Sequence, residues 1–335
     1  MSPIIFCHYG NSNYLEYTLL LAKYYNSGKK IYLLGDKSNQ FIAQKAGIIH
    51  IPFEKYDNCG SILDFKNKYK FIAGLKHGRS EWTQFVFLRW FYIREFLNDY
   101  GIKSFWHFDS DNFIAIDLAE KEKYFQNFDN TEQCGGICLN GYISSSKIVT
   151  LYTNHILDLF CDNDYIKRQM LKCDDNETFA FTEMAAYNDF KQKYKPTTVR
   201  LNDSKFNDTF DDCLAMSDGM EIGNVNYNNH KIKVIYIGPN NLLYFKCATS
   251  NRYIKVNSLN LSWMPFVVIK RSFYLILRKE FCFLGLTKSS ASNSYFKVDF
   301  NHYPFSSKLF DKYISLMFKI KFWFNKISSE RNDYI

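Results

Sequence analysis

The chain has 335 residues, 47% of them hydrophobic and 19% aromatic, with a formal net charge of +8. That length carries one large domain or two smaller ones, and that apolar content excludes intrinsic disorder. Nine cysteines with no CxxC pair, the nearest two being Cys134 and Cys138, exclude a disulfide framework or a zinc pattern and read as free thiols of a reducing compartment.

The start, "SPIIFCHYGN", has no basic opening and no long apolar stretch, so it reads as a first strand rather than a secretion leader. "IIFCHYG" is a buried strand ending in glycine, and "NSNYLEYTLLLAKYYNSG" has helical spacing with a stop at Gly28. "KKIYLLGD" gives a second strand ending at Asp36. "NQFIAQKAG" and "IIHIPF" add a helix and a third strand. Alternating strands and helices predict a parallel sheet covered by helices. Ligands of open sheets sit at the carboxyl ends of strands. This places His8, Tyr9, Gly10 and Asp36 on the candidate edge, although each also suits ordinary turn chemistry.

Residues 81–98, "EWTQFVFLRWFYIREFLN", predict a long, largely buried helix with Trp82, Phe85, Val86, Ile93 and Phe96 on one face. Arg89 falls on that face. A guanidinium among such neighbours needs an anion, a structural acid or a route to the surface. Next comes "KSFWHFDSDNFIAI". A single strand with that sequence would deliver Asp109 and Asp111 at its carboxyl end. Residues two apart on a strand point the same way, so both would reach one hard cation such as Mg²⁺ or Mn²⁺, completed by substrate phosphates. After a loop, "GGICLNGYI" predicts a strand through residue 143 followed by a helix, and a further helix starts near Thr182 in "ETFAFTEMAAYNDF". Residues 197–230 are polar and without period. "KIKVIYIG", "NLLYFKCA" and "RYIKVNSL" read as short strands that close a mixed sheet.

The last region differs in charge. From Lys246 onward there are 15 basic and 5 acidic side chains, against 27 and 29 before it. "WMPFVVIKRSFYLILRKEFCFLGL" is interrupted by Lys270, Arg271, Arg278 and Lys279, which makes it a poor spanning helix. "LFDKYISLMFKIKFWFNKI" places Lys312, Lys319 and Lys326 on one stripe and aromatic and aliphatic residues elsewhere. That pattern suits a helix lying in a bilayer interface, or one docked on a core with a solvated face. The expected division is 1–262 for a catalytic domain and 263–335 for a basic helical region.

In order, "IIFCHYG", "KKIYLLGD", "FWHFDSDNF", "GGICLNGYI" and "FTEMAAY" resemble the GT-A fold glycosyltransferases of the DxD type that build bacterial or viral surface glycans and polysaccharides. The resemblance covers roughly residues 3–260. It implies a Rossmann-like α/β fold and a hexosyltransferase-type enzyme. The donor would be a nucleotide sugar, UDP- or GDP-linked, and the acceptor a glycan or lipid-linked oligosaccharide. It implies Asp111 as principal metal ligand and Asp109 as a metal or donor-sugar contact. The nucleoside would lie against His8, Tyr9, Gly10 and Asp36, and the donor sugar or phosphate against Arg89. Gly136 would form part of the sugar wall, and Glu183 would be the acid facing the reacting centre. Glu183 at a helix N-terminus would stay ionised in the helix dipole, although acids are common there for stability alone. Relatives often supply a histidine as third ligand. Here Asn260 stands in that region, with His230 and His302 as alternatives. The enzyme would attach peripherally to the anionic cytoplasmic face of the membrane. The competing readings are an inactive scaffold protein of the same fold and a nucleic-acid-binding protein; no nucleic acid is expected as a partner.

Overall fold

The computed structural model describes residues 1–76, 80–203, 207–225, 231–278 and 294–299. In chain order the elements are β1 (Ile4–His8), α1 (Leu15–Tyr25), β2 (Ile31–Gly35), α2 (Gln40–Lys45), β3 (Ile49–Pro52), α3 (Gly60–Lys68), α4 (Ser80–Tyr100), β4 (Phe105–His107) and β5 (Asn112–Ile114). Then follow α5 (Ala119–Phe125), β6 (Asn130–Gln133), β7 (Cys138–Ile143), α6 (Ser146–Cys161), α7 (Asn163–Asp175), α8 (Glu183–Tyr194) and β8 (Thr198–Arg200). The remainder is β9 (Asp208–Phe210), β10 (Ile222–Asn224), β11 (Lys231–Lys233), β12 (Ile235–Ile237), β13 (Leu243–Lys246), β14 (Tyr253–Asn260), α9 (Phe266–Ile276) and β15 (Phe296–Lys297). The chain divides into two compact units. The first takes Met1–Asn11, Lys29–Ser110 and Ala119–Leu201; the second takes Ser12–Gly28, Asp111–Leu118 and the described residues from Asn202 onward.

The first unit is built on a seven-stranded mixed sheet in the order β3-β2-β1-β4-β7-β6-β8. β1 pairs parallel with β2 and β4, and β2 with β3. β7 runs antiparallel to both β4 and β6. The buried run Ile4–His8 suits a central parallel strand covered on both faces. One face carries Ile5, Cys7, Tyr32, Leu34 and Phe105, packed with α3, α4, α6 and α8. Helix α4 is the centre of that layer: Phe87, Trp90, Phe91, Ile93 and Phe96 are all buried. Each such side chain stabilises the fold by about 2–3 kcal/mol. The predicted face holds at Val86, Arg89, Ile93 and Phe96, whereas Trp82 is exposed near the helix start. On Trp106 pack Phe108, Phe125 and Tyr142.

The second unit holds a sheet in the order β15-β12-β13-β14-β5, with β9 parallel to β14. Helix α1 lies against β5 and α9, where Tyr17 meets Phe266 and Phe273. His230, His302, the lysine stripe 312–326 and most of 279–335 lie outside the described residues. Among the described residues no helix is long and apolar enough to cross a membrane.

One expectation is corrected. "FWHFDSDNFIAI" is not one strand but two, β4 and β5, in different sheets. β4 stops at His107, and residues 108–109 lead without regular structure into a turn at 110–111. The period-two argument that would align Asp109 with Asp111 therefore does not apply. Both flanks are apolar because each strand is buried in its own sheet.

Candidate active site

The carboxyl end of β1 is stapled to that of β2. The Gly10 N–H donates to the Asp36 carboxylate, which also accepts from Ser38 N at 2.7 Å. Gly10 takes φ +80°, a conformation that favours glycine. Asn39 Nδ2 donates to the carbonyls of His8 and Gly10 at 2.9 and 3.1 Å, and its Oδ1 lies 2.9 Å from His50 Nε2. Gly35 makes that possible: a Cβ there would come within 2.2 Å of Asn39 Oδ1. Burial pushes the Asp36 carboxyl up, but the bonds from Ser38 and Gly10 outweigh it and hold it below its usual value. His8 is buried with Nδ1 2.7 Å from Ser110 Oγ, and burial lowers it to about 4, so it is neutral at pH 7. Tyr9 projects outward, its ring 5.7 Å from that of Phe85. The structure thus brings His8, Gly10 and Asp36 together into one preformed edge, with Tyr9 at its rim.

A second group lies deeper in the same unit. Arg89 reaches from α4 to two carboxylates: Nη1 bonds Asp109 Oδ1, and Nη2 lies 2.9 Å from Glu183 Oε1. Arg89 is 8% exposed and Glu183 6%. Asn140 on β7 donates to Asp109 Oδ2 at 3.3 Å. Glu183 sits at the first position of α8, and its carbonyl accepts from the Tyr152 hydroxyl at 2.6 Å. Glu183 Oε2 is buried with no hydrogen-bond partner.

One buried cation faces one buried and one half-buried acid, so the group cannot keep both acids ionised cheaply. Burial opposes charge on Asp109, but Arg89 wins and holds its carboxyl below the usual range. For Glu183, burial wins over Arg89 and, with Asp109 adding to it, pushes the carboxyl up to about 7. Against the expectation of a Glu183 kept ionised by the α8 dipole, desolvation opposes that charge and is the largest influence on this carboxyl. Neighbouring His107 is lowered to about 4 by burial and Arg89, so it adds no charge; its Nδ1 lies 3.0 Å from the Ile5 carbonyl. Burial likewise raises the Cys7 thiol, which stays protonated.

Gly136 belongs to neither group. At φ +85° it lies over Glu132 and Arg200, and a Cβ would come 3.2 Å from Glu132 Oε2. Its carbonyl accepts from Lys191, which also pairs with Glu132 at 3.1 Å. The sequence offered no sign of Asn39, Asn140 or Ser110 as partners; Asn140 stood inside "GGICLNGYI", but its approach to Asp109, just past the end of β4, is set by strand register.

Asp111 opens a segment of the second unit. Its carboxylate lies 2.8 Å from Ser262 Oγ and 3.2 Å from Asn112 Nδ2, and its carbonyl accepts from Leu261 N–H at 3.0 Å. Asn260 is spent on the chain: Nδ2 donates to the Asp212 carbonyl at 2.7 Å, and Oδ1 accepts from Ser262 N at 3.1 Å. Among the described residues no group of three His, Cys, Asp or Glu is placed to hold a metal ion. Asp111 is a half-buried carboxylate, a hard oxygen donor of the kind that can hold a divalent ion completed by phosphates. Asp109 has both oxygens engaged by Arg89 and Asn140.

No protein-family model matches the chain, and no curated protein does. Among solved structures it is similar to the glycosyltransferase GlyE of Streptococcus pneumoniae TIGR4, at 15% identity and a TM-score of 0.36 over 62% of this chain. The chain spans 47% of that neighbour's length. At so distant a likeness, what this chain does is decided by its own residues.

Proposed function

We propose that the chain is a glycosyltransferase that moves a sugar from a nucleoside-diphosphate sugar to a saccharide acceptor. The observation that carries this reading is Glu183: a buried carboxyl, pushed up to about 7, with one oxygen on Arg89 and the other unpartnered. A general base is most effective with a pKa near the working pH. In the proposed step the acceptor hydroxyl oxygen bonds to the anomeric carbon while the bond to the diphosphate breaks. The hydroxyl proton goes to Glu183 Oε2. Arg89 keeps a positive charge near the reacting sugar, and Asp109 fixes the guanidinium. His8, Gly10 and Asp36 present the nucleoside edge, with Tyr9 available for stacking on the base. A divalent ion, Mn²⁺ or Mg²⁺, held by Asp111 would when bound supply positive charge to a phosphate group. The basic, aromatic region after Lys246 supports a lipid-linked acceptor met at an anionic membrane surface.

The test is release of nucleoside diphosphate from UDP- and GDP-sugars with Mn²⁺ present. Glu183→Gln should keep the donor-induced rise in melting temperature and lose turnover by roughly 10²–10⁴-fold. Asp111→Ala should abolish the Mn²⁺-dependent part of that rise. Absence of any donor turnover with donor binding intact would favour the inactive scaffold reading.

A further inference from the structure

Several described residues outside glycine hold positive φ, and Trp263, at +67°, is the one aromatic among them. Asparagine and aspartate tolerate that region; a bulky side chain there is an outlier that its surroundings must enforce. Here the enforcement is visible on both sides. Leu261 and Met264 are buried, and Met264 N–H donates to the Leu261 carbonyl at 3.0 Å, closing the turn. Ser262 Oγ lies 2.8 Å from Asp111 Oδ2 and 2.6 Å from Asn260 Oδ1. Asn260 is itself tied to Asp211 and Asp212. The strain buys no packing: Trp263 is 76% exposed, and no described residue makes a ring or hydrogen-bond contact with its indole.

A turn pinned this firmly, holding a large apolar plate in water one residue from a serine–carboxylate pair, is arranged for a ligand with a flat apolar face and a polar rim. A pyranose has that form. Its axial C–H face covers an indole, and its hydroxyls suit the half-buried Asp111 and Ser262. We propose that Trp263 is a stacking platform for a pyranose ring of the acceptor saccharide. The role as acceptor rests on the glycosyl-transfer reading; the ring chemistry rests on this turn alone.

The test uses the full chain and two variants. Trp263→Gly removes the plate and relaxes the backbone, since glycine adopts φ +67° freely, so its melting temperature should be unchanged or higher. Trp263→Phe keeps a ring. Indole fluorescence is titrated with lactose, cellobiose and a glucuronate-containing disaccharide, and with phosphatidylglycerol vesicles. The expected result is saccharide-dependent quenching in the parent that is absent in Trp263→Gly. In transfer assays the KM for acceptor should rise on the order of tenfold in Trp263→Gly, and by less in Trp263→Phe. Donor hydrolysis without acceptor should not change. Saccharide quenching in a parent that turns over no donor leaves the platform standing and removes the transfer reading. An unmoved acceptor KM in Trp263→Gly, or a response to vesicles and to no saccharide, overturns the platform.

Discussion

Glu183 makes the site sensitive to acidity in a way that can be separated from the rest of the protein. Its folded pKa of about 7 lies above the ordinary carboxylate value, because burial disfavours the ion more than Arg89 favours it. The folded chain therefore holds this proton more tightly than the unfolded chain. The stability that results is complete below about pH 4 and is lost as pH rises through about 7. Glu183→Gln has no such titration. Denaturant midpoints of the two proteins should converge or cross as pH rises from 5 to 8, with the parent losing up to about 3 kcal/mol relative to the variant. A pH-independent difference would mean that the carboxyl is ionised throughout. Turnover should show the opposite limb, rising with pH through about 7 as Glu183 becomes a competent base.

At the scale of elements, β7 is the member on which the first sheet depends, since it pairs with β4 on one side and β6 on the other. Gly141 within it has φ +91°, and a Cβ there would lie 2.2 Å from Thr131 Oγ1 and 2.8 Å from the Leu201 methyls. Gly141→Ala should destabilise the chain by at least about 2 kcal/mol through overpacking and backbone strain, seen as a lower urea midpoint. The elements that sequence reading found were those with apolar periodicity: β1, β2, α4, α6 and α8 all sit within a residue or two of their expected places. What it missed had a polar signature. β6 is "NTEQ", yet all four residues are buried. Asn130 and Glu132 bond the Tyr187 hydroxyl, and Gln133 accepts from Asn140. Hydrogen bonds between distant residues satisfy that strand, and no periodicity records them. The break between β4 and β5 was illegible for the converse reason: two buried strands in succession look like one. The acids of the site were legible as residues, but not their order of ionisation, which depends on which carboxylate Arg89 serves more closely.

At the scale of the whole chain, the excess of positive charge after Lys246 is the property that composition shows most plainly. An interfacial role for it has a direct measurement. The full chain should sediment with phosphatidylglycerol vesicles and not with phosphatidylcholine alone, and binding should weaken as salt is raised. Reversing Lys312, Lys319 and Lys326 to glutamate should lower the affinity by at least about 100-fold, at roughly 1 kcal/mol per lysine removed. Equal binding to neutral and anionic vesicles would argue against charge as the attraction.

The interleaving of the two units sets a schedule for biosynthesis. Helix α1 leaves the ribosome well before its partners, with Leu15, Leu19 and Leu21 among the side chains it must later bury. Its neighbours come much later: Asn26 bonds the Ile116 carbonyl 90 positions downstream, and the Tyr25 hydroxyl bonds the Ile276 carbonyl 251 positions downstream. A nascent chain that stalls short of α9 therefore carries an uncovered greasy helix, the kind of surface that holdase chaperones capture and that aggregates when they do not.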